Sequence, residues 1–118
     1  MLDHFRAHWT MRHEEAERSA RALREKPGRA AGLIAAWSIA RVADYLRRHG
    51  RRPLIIGEPG DAPTPHEEAL LAILRELHAG RPDLAEMRAT WLVPPYALAG
   101  LFSRAEPVAG LLPELRAA

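Results

Sequence analysis

Apolar residues along this chain recur at helical rather than strand spacing. Leu2, Phe5, Trp9, Ala16, Ala20 and Leu23 are separated by three, four or seven positions, the period of one buried face, and predict helix one over Asp3 to Lys26. On its other side Glu14 and Arg18, Glu17 and Arg21, and Arg21 and Glu25 form i, i+4 pairs, each contributing only a few tenths of a kcal/mol. Helix two follows from about Ala30, with a core face of Ala35, Ile39, Val42, Ala43 and Leu46. A second stripe, Leu33, Trp37, Arg41, Asp44 and Arg48, runs along its opposite side. Helix three opens on a capping box in which Thr64 caps, Pro65 takes the first helical position and Glu67 reaches back. Leu70, Ile73, Leu74 and Leu77 form its buried stripe, led by His66. Asp83 and Glu86 repeat the capping signal for a fourth helix carrying Leu84, Met87 and Trp91. Short helices or turns are expected after Pro95 and Pro107.

The only strand-like run is "PLII" at 53–56, and a lone strand has no pairing partner. It reads as part of an extended connector that buries Leu54, Ile55 and Ile56. The predicted architecture is all-α: one domain over residues 1–118, a bundle of four to six helices with an extended Pro/Gly-rich connector near 50–64.

Composition agrees with one packed domain, since 118 residues with 47% hydrophobic and 27% charged side chains suit a single globular core. The lack of cysteine excludes disulfides, thiolate nucleophiles and thiolate metal sites, so any metal would need His and carboxylate ligands. Asn and Gln are absent and sixteen of the seventeen basic residues are Arg, which points to a GC-rich bacterial genome. The start "MLDHFRAHW" is unlike a secretory signal, and the longest uncharged run, 89–103, is too short to span a bilayer and is broken by Pro94 and Pro95. A cytoplasmic protein with no membrane association is the expectation.

The stretch "HFRAHWTMRHEE" supplies the first candidate chemistry. At about 100° per residue His4, His8 and Glu15 fall within roughly 40° of one another on helix one, a geometry compatible with a metal ion. That edge points roughly 110° away from Phe5 and Trp9, and no Glu-x-x-His occurs to build a site inside a bundle. A solvated helix flank is the expected role, and no cofactor is expected. His49 and His78 fall near helix C-termini, where a protonated imidazole suits the dipole. No local signature of a nucleophilic triad, P-loop or dinucleotide fold is present, "GEPGDAP" included, so a catalytic role is not indicated.

Charge is unevenly placed, with six Arg and one Asp in residues 27–53 against two Arg and six acids in 54–83. Arg47, Arg48, Arg51 and Arg52, beside His49, form a basic knot that could take up phosphate or nucleic acid, or could neutralise the end of helix two and the acidic loop after it. Neither a second basic helix nor interleaved aromatic residues support nucleic-acid binding. Helix two is more informative, because a helix apolar on both sides must be covered on both. Either the segment with Tyr96, Leu98, Leu101 and Phe102 covers Trp37, or Leu33, Trp37 and Arg41 form a homodimer or partner-protein interface. The functional expectation is a non-catalytic helical interaction or regulatory domain, self-associating through helix two. A nucleic-acid-binding regulator and a metal- or small-ligand-binding bundle are the alternatives.

Overall fold

A computed structural model describes residues 1–10, 17, 18, 21, 29–51 and 53–111 of the chain. The fold is all-α: α1 (Leu2–Trp9), α2 (Arg29–His49), α3 (Pro65–His78), α4 (Pro82–Ala89), a 3₁₀ turn (Pro95–Ala97) and α5 (Leu98–Gly110), with no strand among the described residues. α2 is the central element, flanked by α1 and α5, while α3 packs against α4 and α5. Its core face is the predicted one, since Ala35, Ile39, Val42, Ala43 and Leu46 are all buried. Leu70, Ile73 and Leu74 of α3 meet it together with Leu101, Ala105 and Val108 of α5.

Helix one differs from expectation in length and in burial. It ends at Trp9, where the Thr10 hydroxyl and backbone N–H both donate to the Arg6 carbonyl and close the last turn locally. Glu17, Arg18 and Arg21 are again helical, and all three are exposed; the other partners of the predicted ion pairs, Glu14 and Glu25, and the apolar Ala16, Ala20 and Leu23 lie outside the described residues. His4, Phe5, Arg6 and Ala7 are all buried. Successive residues of a helix point about 100° apart, so four buried in a row mean that α1 is enclosed on every side over this turn, while Asp3 just before it is exposed.

The connector is extended, as its Pro/Gly content predicts, but only Leu54 and Ile56 are half-buried, and Ile55 is exposed. What holds it is polar. The Thr64 hydroxyl donates to the Ile55 carbonyl at 2.6 Å and the Ile55 N–H donates to Nδ1 of His66 at 2.9 Å, while the predicted capping box of Thr64 and Glu67 is complete. Arg6 then reaches in from α1. Its Nε and one terminal nitrogen donate to the two oxygens of Glu67 at 2.7 and 2.8 Å, and the remaining donors meet the carbonyls of Glu58, Asp61 and Ala62. The connector can pass this close because residue 57 is glycine: a Cβ there would lie 2.6 Å from the guanidinium.

Two further segments depart from the sequence reading. α3 ends in a Schellman turn, with Arg81 N–H donating to the Glu76 carbonyl and Gly80 at φ +72°, so α4 starts one residue on, at Pro82. Arg81 is therefore the N-cap, and Asp83 lies in the first turn instead of capping. α4 turns Ala85 and Ala89 inward, leaving Leu84 and Met87 exposed, as is Trp91 just after the helix. α5, finally, runs through Pro107. The carbonyl that loses its donor belongs to Ser103, which is exposed, and Val108 and Ala109 just beyond remain buried.

Candidate functional site

The described residues contain one fully buried ion pair, Arg6 with Glu67, and a buried pair of charges is a natural place to look for chemistry. Its hydrogen bonding argues for structure instead. All five N–H donors of Arg6 are taken by Glu67 and by connector carbonyls, leaving none for a ligand. The bond to Glu67 raises the pKa of Arg6 above its ordinary value despite its burial. Burial alone would push the Glu67 carboxyl up, but the bonds from Arg6 and from the backbone N–H groups of Thr64 and Gly57 outweigh it and hold the group below its ordinary 4.5.

The sign of the pH effect follows. A carboxyl whose pKa is depressed by folding contributes stability above its unfolded value and loses it as pH falls below that value toward the folded one; the raised Arg6 is lost only at extreme alkaline pH. Glu67→Gln is expected to be less stable than the native chain at neutral pH and to lose less between about pH 5 and pH 3. Urea midpoints of both proteins across that interval check this; parallel acid losses would remove Glu67 from the acid sensitivity of the fold.

His4 and His8 of the predicted metal edge do meet, their rings edge-to-face with centroids 4.5 Å apart. The expected solvated flank is corrected at His4, which is buried against α2 with Nε2 3.0 Å from the Ala36 carbonyl. Glu15 lies outside the described residues. Among the described residues no group of three or more His, Asp or Glu side chains is placed to hold a metal ion.

The basic knot is dispersed by its own contacts. Arg47 is paired with Asp44 and donates to the His8 carbonyl at 2.8 Å, and Arg51 donates through Nε to the Thr90 carbonyl at 2.8 Å. Both bonds tie α2 to its neighbours. Arg48 is exposed, and Arg52 lies outside the described residues.

The second stripe of α2 remains. Leu33 and Ile34 are about half exposed, Trp37 is 61% exposed, and the Arg41 guanidinium lies over the Trp37 ring, 4.7 Å from its centroid. The C-terminal segment does not cover this face. It packs along the other flank of α2, where Tyr45 donates to the Ala97 carbonyl at 3.1 Å and Leu101 enters the core, while Tyr96 is 75% exposed.

No family model, curated protein or solved structure matches this chain.

A second apolar surface lies on α4 and the turn after it. Met87 and Trp91 are each about two-thirds exposed, and Trp91 lines a shallow groove with Pro65, Ala69 and Ala72 of α3, Arg75 and Arg88 at its edge. None of the described helices is long and apolar enough to cross a membrane.

Proposed function

We propose that the chain works as a helical protein-interaction domain whose contact face is the Leu33, Trp37 and Arg41 side of α2, joined by Ile34, and that its first partner is a second copy of itself. The observation that carries this reading is Trp37, an aromatic side chain 61% exposed in the middle of the longest described helix. Its surroundings have the make-up of a contact surface, with apolar Leu33 and Ile34 beside the ring and Arg41 stacked on it. Aromatic residues and Arg supply a disproportionate share of binding energy, and one helix face pairs with its own copy about a two-fold axis. The absence of a catalytic motif in the sequence supports a binding role over an enzymatic one.

Trp37→Asp is expected to convert a dimer to a monomer, weakening association by at least about thirty-fold, the effect of losing an interface hot spot. Helicity is expected to persist, because the ring contributes little to the core. Sedimentation equilibrium with far-ultraviolet circular dichroism reads both. A wild-type chain that sediments as a monomer, or a dimer indifferent to the substitution, overturns the reading.

A further inference from the structure

We infer that the cleft between the second half of α2 and α5 is a phosphate-binding site. Six residues line this concavity of about 200 Å³: Arg41, Asp44, Tyr45, Arg48 and His49 from α2, and Arg104 from α5. Residues 41, 45 and 48 are spaced four and three apart, so they share one face of the helix. Arg104 closes the cleft from the neighbouring element. The one acid in the lining, Asp44, is paired with Arg47, which is not part of the cleft. Three arginines thus line one small space in which the only carboxylate is already engaged.

Two of the three are held against aromatic rings. Arg41 lies over Trp37, and Arg104 lies over the Tyr45 ring at 4.3 Å from its centroid. Arg104 also donates to the Gly100 carbonyl at 3.0 Å, and Tyr45 is fixed by its bond to the Ala97 carbonyl. Stacking uses the face of a guanidinium and leaves in-plane N–H groups for an oxyanion, which is the arrangement by which Arg recognises phosphate. A single carboxylate is satisfied by one bidentate Arg, whereas three Arg match the three terminal oxygens of a phosphate monoester and outweigh its charge of about −2. Neutralisation of the end of α2 does not account for the cluster, because Arg41 lies eight residues before that end and Arg104 belongs to another helix.

The phosphate could be carried by a small ester or by a phosphorylated side chain, and the test separates them. Inorganic phosphate, adenosine monophosphate, a phosphoserine peptide and acetate are titrated calorimetrically into the full chain at constant ionic strength. Saturable one-to-one binding of the phosphate probes, and not of acetate, is expected. Arg48→Ala and Arg104→Ala should each weaken it about ten- to hundred-fold, as expected for one charged hydrogen-bond donor, while Arg75→Ala on α3 leaves it unchanged. Tighter binding of the nucleotide identifies a small ester, and tighter binding of the peptide identifies a phosphorylated protein. Arg48 is exposed, so its variant keeps the test valid even where Arg104→Ala perturbs folding. Absence of saturable binding, equal binding of acetate, or indifference to Arg48→Ala overturns the inference. Arg41 belongs to both surfaces, but Arg48, on which the test turns, lies eleven residues, about 16 Å, along the helix from Trp37, and the readout is ligand binding rather than subunit number, so failure of this inference and failure of the proposed self-association are distinguishable.

Discussion

Glu67→Ala is expected to destabilise the fold by about 3–5 kcal/mol, the range for removing one member of a buried, hydrogen-bonded ion pair. The cost arises less from the lost attraction than from what stays behind. Arg6 keeps its charge in a site where it is 3% exposed, and the N–H groups of Thr64 and Gly57 lose their acceptor. The same carboxylate completes the capping box of α3, so the substitution also frees that helix start, worth about a further 1 kcal/mol. Against a total stability of about 6–18 kcal/mol for a chain of this length, such a loss is large. It is read from the urea midpoint at unchanged slope. Arg6→Met with Glu67→Met is expected to cost less than the two single changes added together, because each single variant strands the other charge. A loss below about 1 kcal/mol for Glu67→Ala would mean that water reaches the pair and that the clamp is dispensable.

This pair also shows where the sequence was legible. The capping box could be read because Thr64 and Glu67 are three residues apart and helix starts are local chemistry. The second role of Glu67 depends on Arg6, sixty-one positions away, and no local pattern announces it. Helix two was readable for a different reason: from Ile39 onward its larger apolar residues, Ile39, Val42 and Leu46, face the core, so over that stretch the phase of the period is the phase of burial. In α4 that equivalence fails. Ala85 and Ala89 form the buried side of the helix, which pushes Leu84, Met87 and Trp91 outward although they carry the hydrophobic signal. Helix one fails in the opposite sense, since its turn from His4 to Ala7 is enclosed on all sides and leaves no solvent face for a period to mark, and Arg6 and His4 are buried despite their polarity.

The candidate sites divide in the same way. The row of Leu33, Trp37 and Arg41 was legible because these residues follow one another along a single helix. The phosphate cleft was only half visible: Arg41 and Arg48 lie on that stripe, but Arg104 joins them through the packing of α5, and Tyr45 takes part because its hydroxyl reaches Ala97. Arg47 and Arg51, which looked equivalent to Arg48 in sequence, are drawn off by backbone carbonyls of α1 and of the turn after α4. Carbonyl acceptors carry no sequence signature, so this sorting of arginines needs the fold.

Phe5→Ala is expected to cost about 3–5 kcal/mol, as for other large-to-small changes of buried aromatic residues. Phe5 is 2% exposed and lies among Leu2, Ile39, Val42, Leu70, Leu74 and Val108, side chains from four helices. The space beside it is about 10 Å³, so removing the phenyl leaves a void that existing slack cannot absorb. A short terminal helix could in principle limit the cost by undocking alone. Here that route is closed by the next residue, because releasing α1 withdraws Arg6 from Glu67 and leaves the buried carboxylate stranded. The loss should therefore appear in the cooperative unfolding of the whole bundle, a fall in Tm of about 4 °C per kcal/mol, and hydrogen exchange should speed up in α2 and α3 as well as in α1. An apolar cavity of this kind stays dry and accepts small aromatics, so benzene should raise the Tm of the variant and not that of the native chain. Faster exchange confined to α1, with the rest of the bundle unchanged, would show that the Arg6 clamp does not couple this helix to the core.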